Sequence, residues 1–162
     1  MGSFKYFILV IILILRFVFA QCDSGFTYVD SIPGNINILL GDSCFSDQDL
    51  SVLSDLITIN QLQYDSALEI GTQTWASGRL KILVAGNYGN STGVNDTIYT
   101  LPDSIGNWNN LSGLYLEWNR ISSLPESFNN LKELRSIYIS NNIYTLLYWR
   151  DVAKVYTKSH ST

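Results

Sequence analysis

The feature that most constrains this chain is a repeat. Residues 101–119, LPDSIGNWNNLSGLYLEWN, align with residues 124–142, LPESFNNLKELRSIYISNN, at an offset of 23. Seven positions are identical, among them Leu101/Leu124, Pro102/Pro125, Leu111/Leu134, Tyr115/Tyr138 and Asn119/Asn142. Four further pairs keep an apolar residue: Ile105/Phe128, Trp108/Leu131, Leu114/Ile137 and Leu116/Ile139. A period in this range marks units that cannot bury their apolar face alone and do so by stacking.

Within one unit, Leu114 and Leu116 alternate with strand period, so both point into a core while Tyr115 and Glu117 point out. Asn119 closes the strand, where an amide side chain can satisfy the backbone of the turn. Leu124, Phe128 and Leu131 face inward from the opposite side, and Pro125 fixes the bend. An earlier, altered unit is read as Ile82-x-Val84-x-x-Asn87 followed by Asp96-x-Ile98-x-x-Leu101. Nine extra residues, rich in Gly and Asn, separate its halves and suit a surface loop, either a binding loop or a tolerated insertion.

The string Leu111-x-x-Leu114-x-Leu116-x-x-Asn119-x-Ile121-x-x-Leu124-Pro125-x-x-Phe128-x-x-Leu131 resembles the leucine-rich repeat family, in its secreted bacterial and plant-like form. The plant Gly-x-Ile-Pro variant is absent, and Ile121-Ser122-Ser123-Leu124-Pro125 takes its place. The resemblance implies an α/β fold: a right-handed leucine-rich-repeat solenoid with a parallel concave sheet, preceded by an N-terminal capping module. It also implies that partners dock on the concave face.

The chain divides accordingly into a signal peptide (1–20), a capping module (21–79), the repeats (80–147) and a C-terminal cap or aberrant tail (148–162). The leader has Lys5, an apolar run from Tyr6 to Leu15, Arg16, and small residues at Val18 and Ala20. That run is shorter than a bilayer span. An uncleaved anchor is the alternative, and only then would the protein be held at a membrane. Export makes a Cys22–Cys44 disulfide the expected state of the only two cysteines, two free thiols being the rival. In the capping module Ile36, Ile38 and Leu40 suggest a strand. Ser46 and Asp49 resemble a capping box at the start of a helix near 47–60. At the far end the 23-residue register places Asp151 in an apolar slot. Residues 144–156 are therefore read as a capping helix, or the chain is a fragment or the product of a frame change.

Chemistry is sparse. His160 is the single histidine, so no histidine-based triad can form, and one His with two Cys cannot make a typical four-ligand zinc site. Asp47 and Asp49 sit where acids favour a helix N-terminus. No enzyme, cofactor or metal is expected. Beyond the leader 8 basic residues face 14 acidic ones with no basic cluster, which argues against nucleic acid. Asn90, Asn95 and Asn110 head glycosylation sequons.

The expected working surface is the outward side of the sheet. Its positions are Lys81, Leu83 and Ala85 on the first strand, then Ser112, Tyr115, Glu117 and Trp118, then Arg135, Tyr138, Ser140 and Asn141. Tyr115, Glu117, Trp118, Arg135 and Tyr138 are the candidate contacts, since exposed aromatics beside Arg characterise binding hot spots. The expected function is an exported, non-catalytic recognition module for a protein or a surface glycan. The alternatives are a structural cell-surface scaffold and a non-functional fragment of a longer repeat protein.

Overall fold

A computed structural model of the chain describes residues 22–143. The expected signal peptide and the expected helix over 144–156 lie outside the described residues.

The described residues begin at a disulfide. Cys22 is joined to Cys44, with their Cα atoms 5.6 Å apart. β1 (Phe26–Tyr28) pairs antiparallel with β3 (Cys44–Ser46) in a small two-stranded sheet. α1 (Asp47–Asn60) follows directly. The hydroxyl of Ser46 caps it by accepting the Asp49 N–H at 3.4 Å. Gln61, in the left-handed region at φ 53°, ends it: its N–H and that of Leu62 bond back to the carbonyls of Thr58 and Ile57. This is how α-helices commonly satisfy their last carbonyls. Val52, Leu53 and Leu56 line the buried face of α1.

The capping-box reading of Asp49 is corrected. Its side chain does not reach back to the Ser46 N–H, which donates instead to the carbonyl of Gly78. The Asp49 carboxylate is 1% exposed and turns into the protein. It accepts two hydrogen bonds from the Arg79 guanidinium, at 2.8 and 2.9 Å, and one from the Leu80 N–H at 2.9 Å. A carboxylate removed from water needs a paired charge, and Arg79 supplies it.

The main sheet has five strands in the order β2 (Ile36–Leu40), β4 (Thr72–Ala76), β5 (Arg79–Val84), β6 (Gly113–Tyr115) and β7 (Ser136–Tyr138). Here the fold departs from expectation. The described residues form a small α/β domain with one helix, two sheets and a mixed five-stranded sheet, not the right-handed solenoid with an all-parallel concave sheet. The physical reason is a tight hairpin. Ser77 and Gly78 both take positive φ, 50° and 70°, the geometry of a two-residue turn whose twist suits antiparallel strands. β4 and β5 therefore run antiparallel, while β2–β4, β5–β6 and β6–β7 are parallel. Gly78 is required there: a Cβ would collide with the carbonyl of Cys44 and the ring of Phe26.

The two 23-residue units still stack. Leu114 lies opposite Ile137, and Tyr115 opposite Tyr138. Each unit returns through a short 3-10 turn, Asp103–Asn107 or Glu126–Asn130, entered by Pro102 or Pro125. Ile105, Trp108, Leu111, Leu114, Leu116, Ile121 and Phe128 are buried in one core with Leu53, Leu56 and Trp75. The indole N–H of Trp108 donates to the backbone carbonyl of Asp49 at 3.2 Å, tying the first unit to α1.

The asparagines join the units through main-chain groups. Asn119 Nδ2 donates to the carbonyls of Ala85 (2.9 Å) and Leu116 (3.1 Å), and its Oδ1 accepts the Ile98 N–H (2.9 Å). Asn142 repeats this one unit on, donating to Leu116 and Ile139 and accepting from Ile121 N–H.

The register of the first strand is the second correction. Leu83 and Ala85, expected to point outward, are both fully buried. Pairing sets Leu83 opposite Leu114 and Val84 opposite Tyr115, so Leu83 and Ala85 play the parts of Leu114 and Leu116. A one-residue slip exchanges every side chain between the two faces of a strand. Extending the same register places Tyr88, not Asn87, at the position of Asn119.

Candidate partner-binding surface

The outward side of β6 and β7 carries the site. Parallel strands in register bring equivalent residues side by side. Tyr115 and Tyr138 accordingly stack, with ring centroids 4.6 Å apart and planes 10° from parallel. Tyr138 is half exposed and Tyr115 less so.

Trp118 continues the cluster at the end of its strand. It is 57% exposed, and its N–H donates to the carbonyl of Ser140 at 3.1 Å. Its backbone lies in the left-handed region, φ 60°. Asn141, one period later, adopts the same conformation at φ 57°. Asn is enriched in that region, but a bulky aromatic residue there is an outlier that costs about 1–2 kcal/mol. Tryptophan thus occupies an exposed turn position that the fold would fill more easily with asparagine.

Tyr88 was not among the sequence-derived candidates, and it completes the arrangement. By the β5 register it is the counterpart of Asn119, but it is only part-buried, and its phenol reaches across and donates to the Glu117 carboxylate. Its ring packs where a Cβ on Gly86 would sit, and a Cβ on Gly93 would collide first with the Gly86 carbonyl and then with the same ring. The Val94 N–H closes the loop onto the Gly86 carbonyl at 3.0 Å. Burial raises the Tyr88 pKa above the ordinary 10.0, and the hydrogen bond and negative charge of Glu117 raise it further, with a smaller effect from Tyr115. The signal that could have found Tyr88 is the β5 register: once Leu83 is inward, residue 88 is the turn position.

Tyr88, Tyr115, Glu117 and Tyr138 therefore lie together toward the C-terminal ends of β5, β6 and β7, and the exposed Trp118 follows Glu117 in the chain. Arg135 does not join them. It precedes β7 at the opposite end of that strand, and its largely exposed guanidinium lies 3.9 Å from Glu133.

Of the sequon residues, Asn90 is exposed and its Oδ1 accepts both the N–H (2.9 Å) and the hydroxyl (2.6 Å) of Thr92. Asn95 is exposed, with its N–H on the Tyr64 hydroxyl at 3.2 Å. Asn110 is half-buried. Among the described residues no cluster of three or more His, Cys, Asp or Glu side chains is placed to hold a metal. No helix among them is long and apolar enough to cross a membrane.

No family model matches the chain, and no curated protein or solved structure matches it. The class is accordingly the one its geometry defines: a disulfide-linked α/β domain with one helix, a mixed five-stranded sheet, and an aromatic cluster on the sheet's outward face.

Proposed function

We propose that this protein is an exported, non-catalytic recognition module that docks a protein partner on the outward face of its sheet, around Tyr115, Trp118 and Tyr138. The observation that carries the reading is Trp118, an exposed aromatic side chain held in a backbone conformation that disfavours it. Strain of this kind is held by the surrounding structure and clusters at ligand-binding and other functional sites, and exposed Trp and Tyr are favoured as binding anchors. Export is supported by the leader pattern and by the Cys22–Cys44 disulfide, which suits an oxidising compartment. The units over 101–142 are read as leucine-rich repeats, supported by the matching bonds of Asn119 and Asn142. A protein is favoured over a glycan because Tyr115 and Tyr138 cover one face of each other, leaving less open ring surface for a sugar to stack on.

The test is binding of the purified protein to a panel of exported surface proteins, compared with the double variant Tyr115→Ala/Tyr138→Ala. A partner lost in the double variant, with the fold intact by circular dichroism, supports the reading. Unchanged binding rejects the patch and leaves the tyrosines as cross-strand packing.

A further inference from the structure

We infer that the group this surface takes from its partner is a basic side chain, lysine or arginine, seated against Trp118 beside the Glu117 carboxylate. The inference rests on the recognition reading above and names the chemistry of its ligand.

Three observations converge on it. First, the cluster is electron-rich. The faces of Trp and Tyr rings carry negative electrostatic potential and attract ammonium and guanidinium groups, Trp most strongly. Trp118 and Tyr138 are the exposed rings, Tyr115 stacks on Tyr138, and Tyr88 and Tyr115 are part-buried.

Second, Glu117 adds a carboxylate beside these rings and makes no ion pair within the described residues; the nearest cation in sequence, Arg120, lies instead over the Tyr99 ring, 5.9 Å from its centroid. The two ion pairs there are Arg79–Asp49 and Arg135–Glu133. Arg135 and Lys81 belong to the other ends of their strands. Glu117 is instead held by a neutral donor, the Tyr88 hydroxyl, on Oε2. Oε1 has no hydrogen-bond partner among the described residues. Tyr88 therefore orients the carboxylate without discharging it.

Third, the chain carries a formal charge of −4. That field draws cations toward the surface and disfavours acidic partners. An anionic group would meet Glu117 directly, and a neutral apolar group would gain nothing from it.

The experiment separates charge from hydrophobicity with small probes. Nα-acetyl-lysine methylamide and Nα-acetyl-arginine methylamide are titrated to tens of millimolar against the full chain. The uncharged Nα-acetyl-norleucine methylamide serves as the isostere of the lysine probe. Binding is followed by NMR at the Trp118 indole N–H. The lysine and arginine probes are expected to bind at least about fivefold more tightly than norleucine, the sum of an exposed cation–aromatic contact and an exposed ion pair. That preference should shrink as salt is raised. Glu117→Gln, which keeps an acceptor for Tyr88, should abolish most of it. Tyr88→Phe keeps the carboxylate charge and should preserve it, which separates charge from loop packing.

Equal binding of norleucine and lysine, no response to the basic probes, or a preference that survives Glu117→Gln each overturns the inference. If any of these occurs while partner binding remains sensitive to Tyr115→Ala/Tyr138→Ala, the recognition reading stands and only the ligand chemistry falls. If partner binding is insensitive as well, both fall.

Discussion

Asn119 offers the sharpest test of how the units are joined. Its side chain is buried, 3% exposed, and bonds groups from three separate segments: Ile98 N–H, Ala85 C=O and its own strand's Leu116 C=O. Asn119→Ala removes these contacts and a longer one to the Glu117 carbonyl at 3.4 Å, but not with equal effect. The Leu116 carbonyl keeps a donor, Asn142 Nδ2 at 2.8 Å. The Ile98 N–H and the Ala85 carbonyl lose theirs, on residues that are fully buried. An unsatisfied buried polar group costs about 1–3 kcal/mol, so two give about 2–6 kcal/mol. A domain of this size has a stability of about 5–15 kcal/mol. With a urea slope of about 1–2 kcal/mol/M, the midpoint should fall by about 2 M. Asn142→Ala provides the internal comparison. Its bonds are similar, but Asn142 is only half-buried, so water can replace part of what is lost and the cost should be about half. Urea denaturation followed by tryptophan fluorescence measures both. A loss below about 1 kcal/mol for Asn119→Ala, or equal losses for the two variants, would refute the claim that buried asparagine bonds hold the units together.

Three other perturbations probe separate features. Asp49→Ala leaves the Arg79 guanidinium and the Leu80 N–H without their buried acceptor, and should cost about 3 kcal/mol, at the low end for a broken buried pair because Arg79 is itself partly exposed; a change under about 1 kcal/mol in chemical denaturation would show the pair to be dispensable. Replacing Cys22 and Cys44 together by Ser frees a loop with a separation of 22 residues, and should cost about 3 kcal/mol by the chain-entropy relation; an unchanged thermal midpoint would contradict this. Tyr88 has its pKa raised in the folded state, so the stability it contributes is present at neutral pH and is lost as pH rises beyond 10, where the unfolded phenol ionises first. Glu117→Gln removes one of the raising influences but not burial, so phenol absorbance at 295 nm should show Tyr88 titrating earlier than in the parent, and an unshifted titration would count against the Tyr88–Glu117 contact.

The parts of the fold that were legible are those written in a single residue type at a fixed place. α1 lies at Asp47–Asn60, where Ser46 and the spacing of Leu50, Leu53 and Leu56 set it. Tyr115 and Tyr138 are neighbours because two units of equal length place them so. What could not be read was the direction of β4 against β5. The Ser77-Gly78 dipeptide is a turn signal, yet the segment before it has no repeat and the segment after it was already claimed by the repeat pattern. β5 itself misleads in another way. Lys81 fixes an outward position, but a bulge against β4 between Leu80 and Ile82 shifts the phase, so that Leu80, Leu83 and Ala85 are all buried and strict period-2 alternation from Lys81 runs one residue off. Asp49 failed as a capping-box member for a third reason: its partner Arg79 lies 30 residues away, and local spacing carries no information about contacts at that range.

The departures from the repeat pattern are themselves informative because they converge. By the β5 register Tyr88 stands where the next units have Asn119 and Asn142, but it is only part-buried and bonds Glu117 instead of the backbone groups that those asparagines bond. The left-handed turn position that suits Asn141 holds Trp118. The extra residues of the first unit fold so that Gly86 accommodates the Tyr88 ring. A chain selected for stacking alone would carry asparagine in both slots and no insertion. Places where local rules are broken are expected to be strained or functional sites, and two of these three features meet at Glu117, one as its hydrogen-bond donor and one as its chain neighbour. Random drift would scatter such departures around the units, over the 3-10 turns as readily as over the sheet. Their concentration on one face, beside an acid that makes no ion pair among the described residues, is the physical argument behind the proposal that partners dock there.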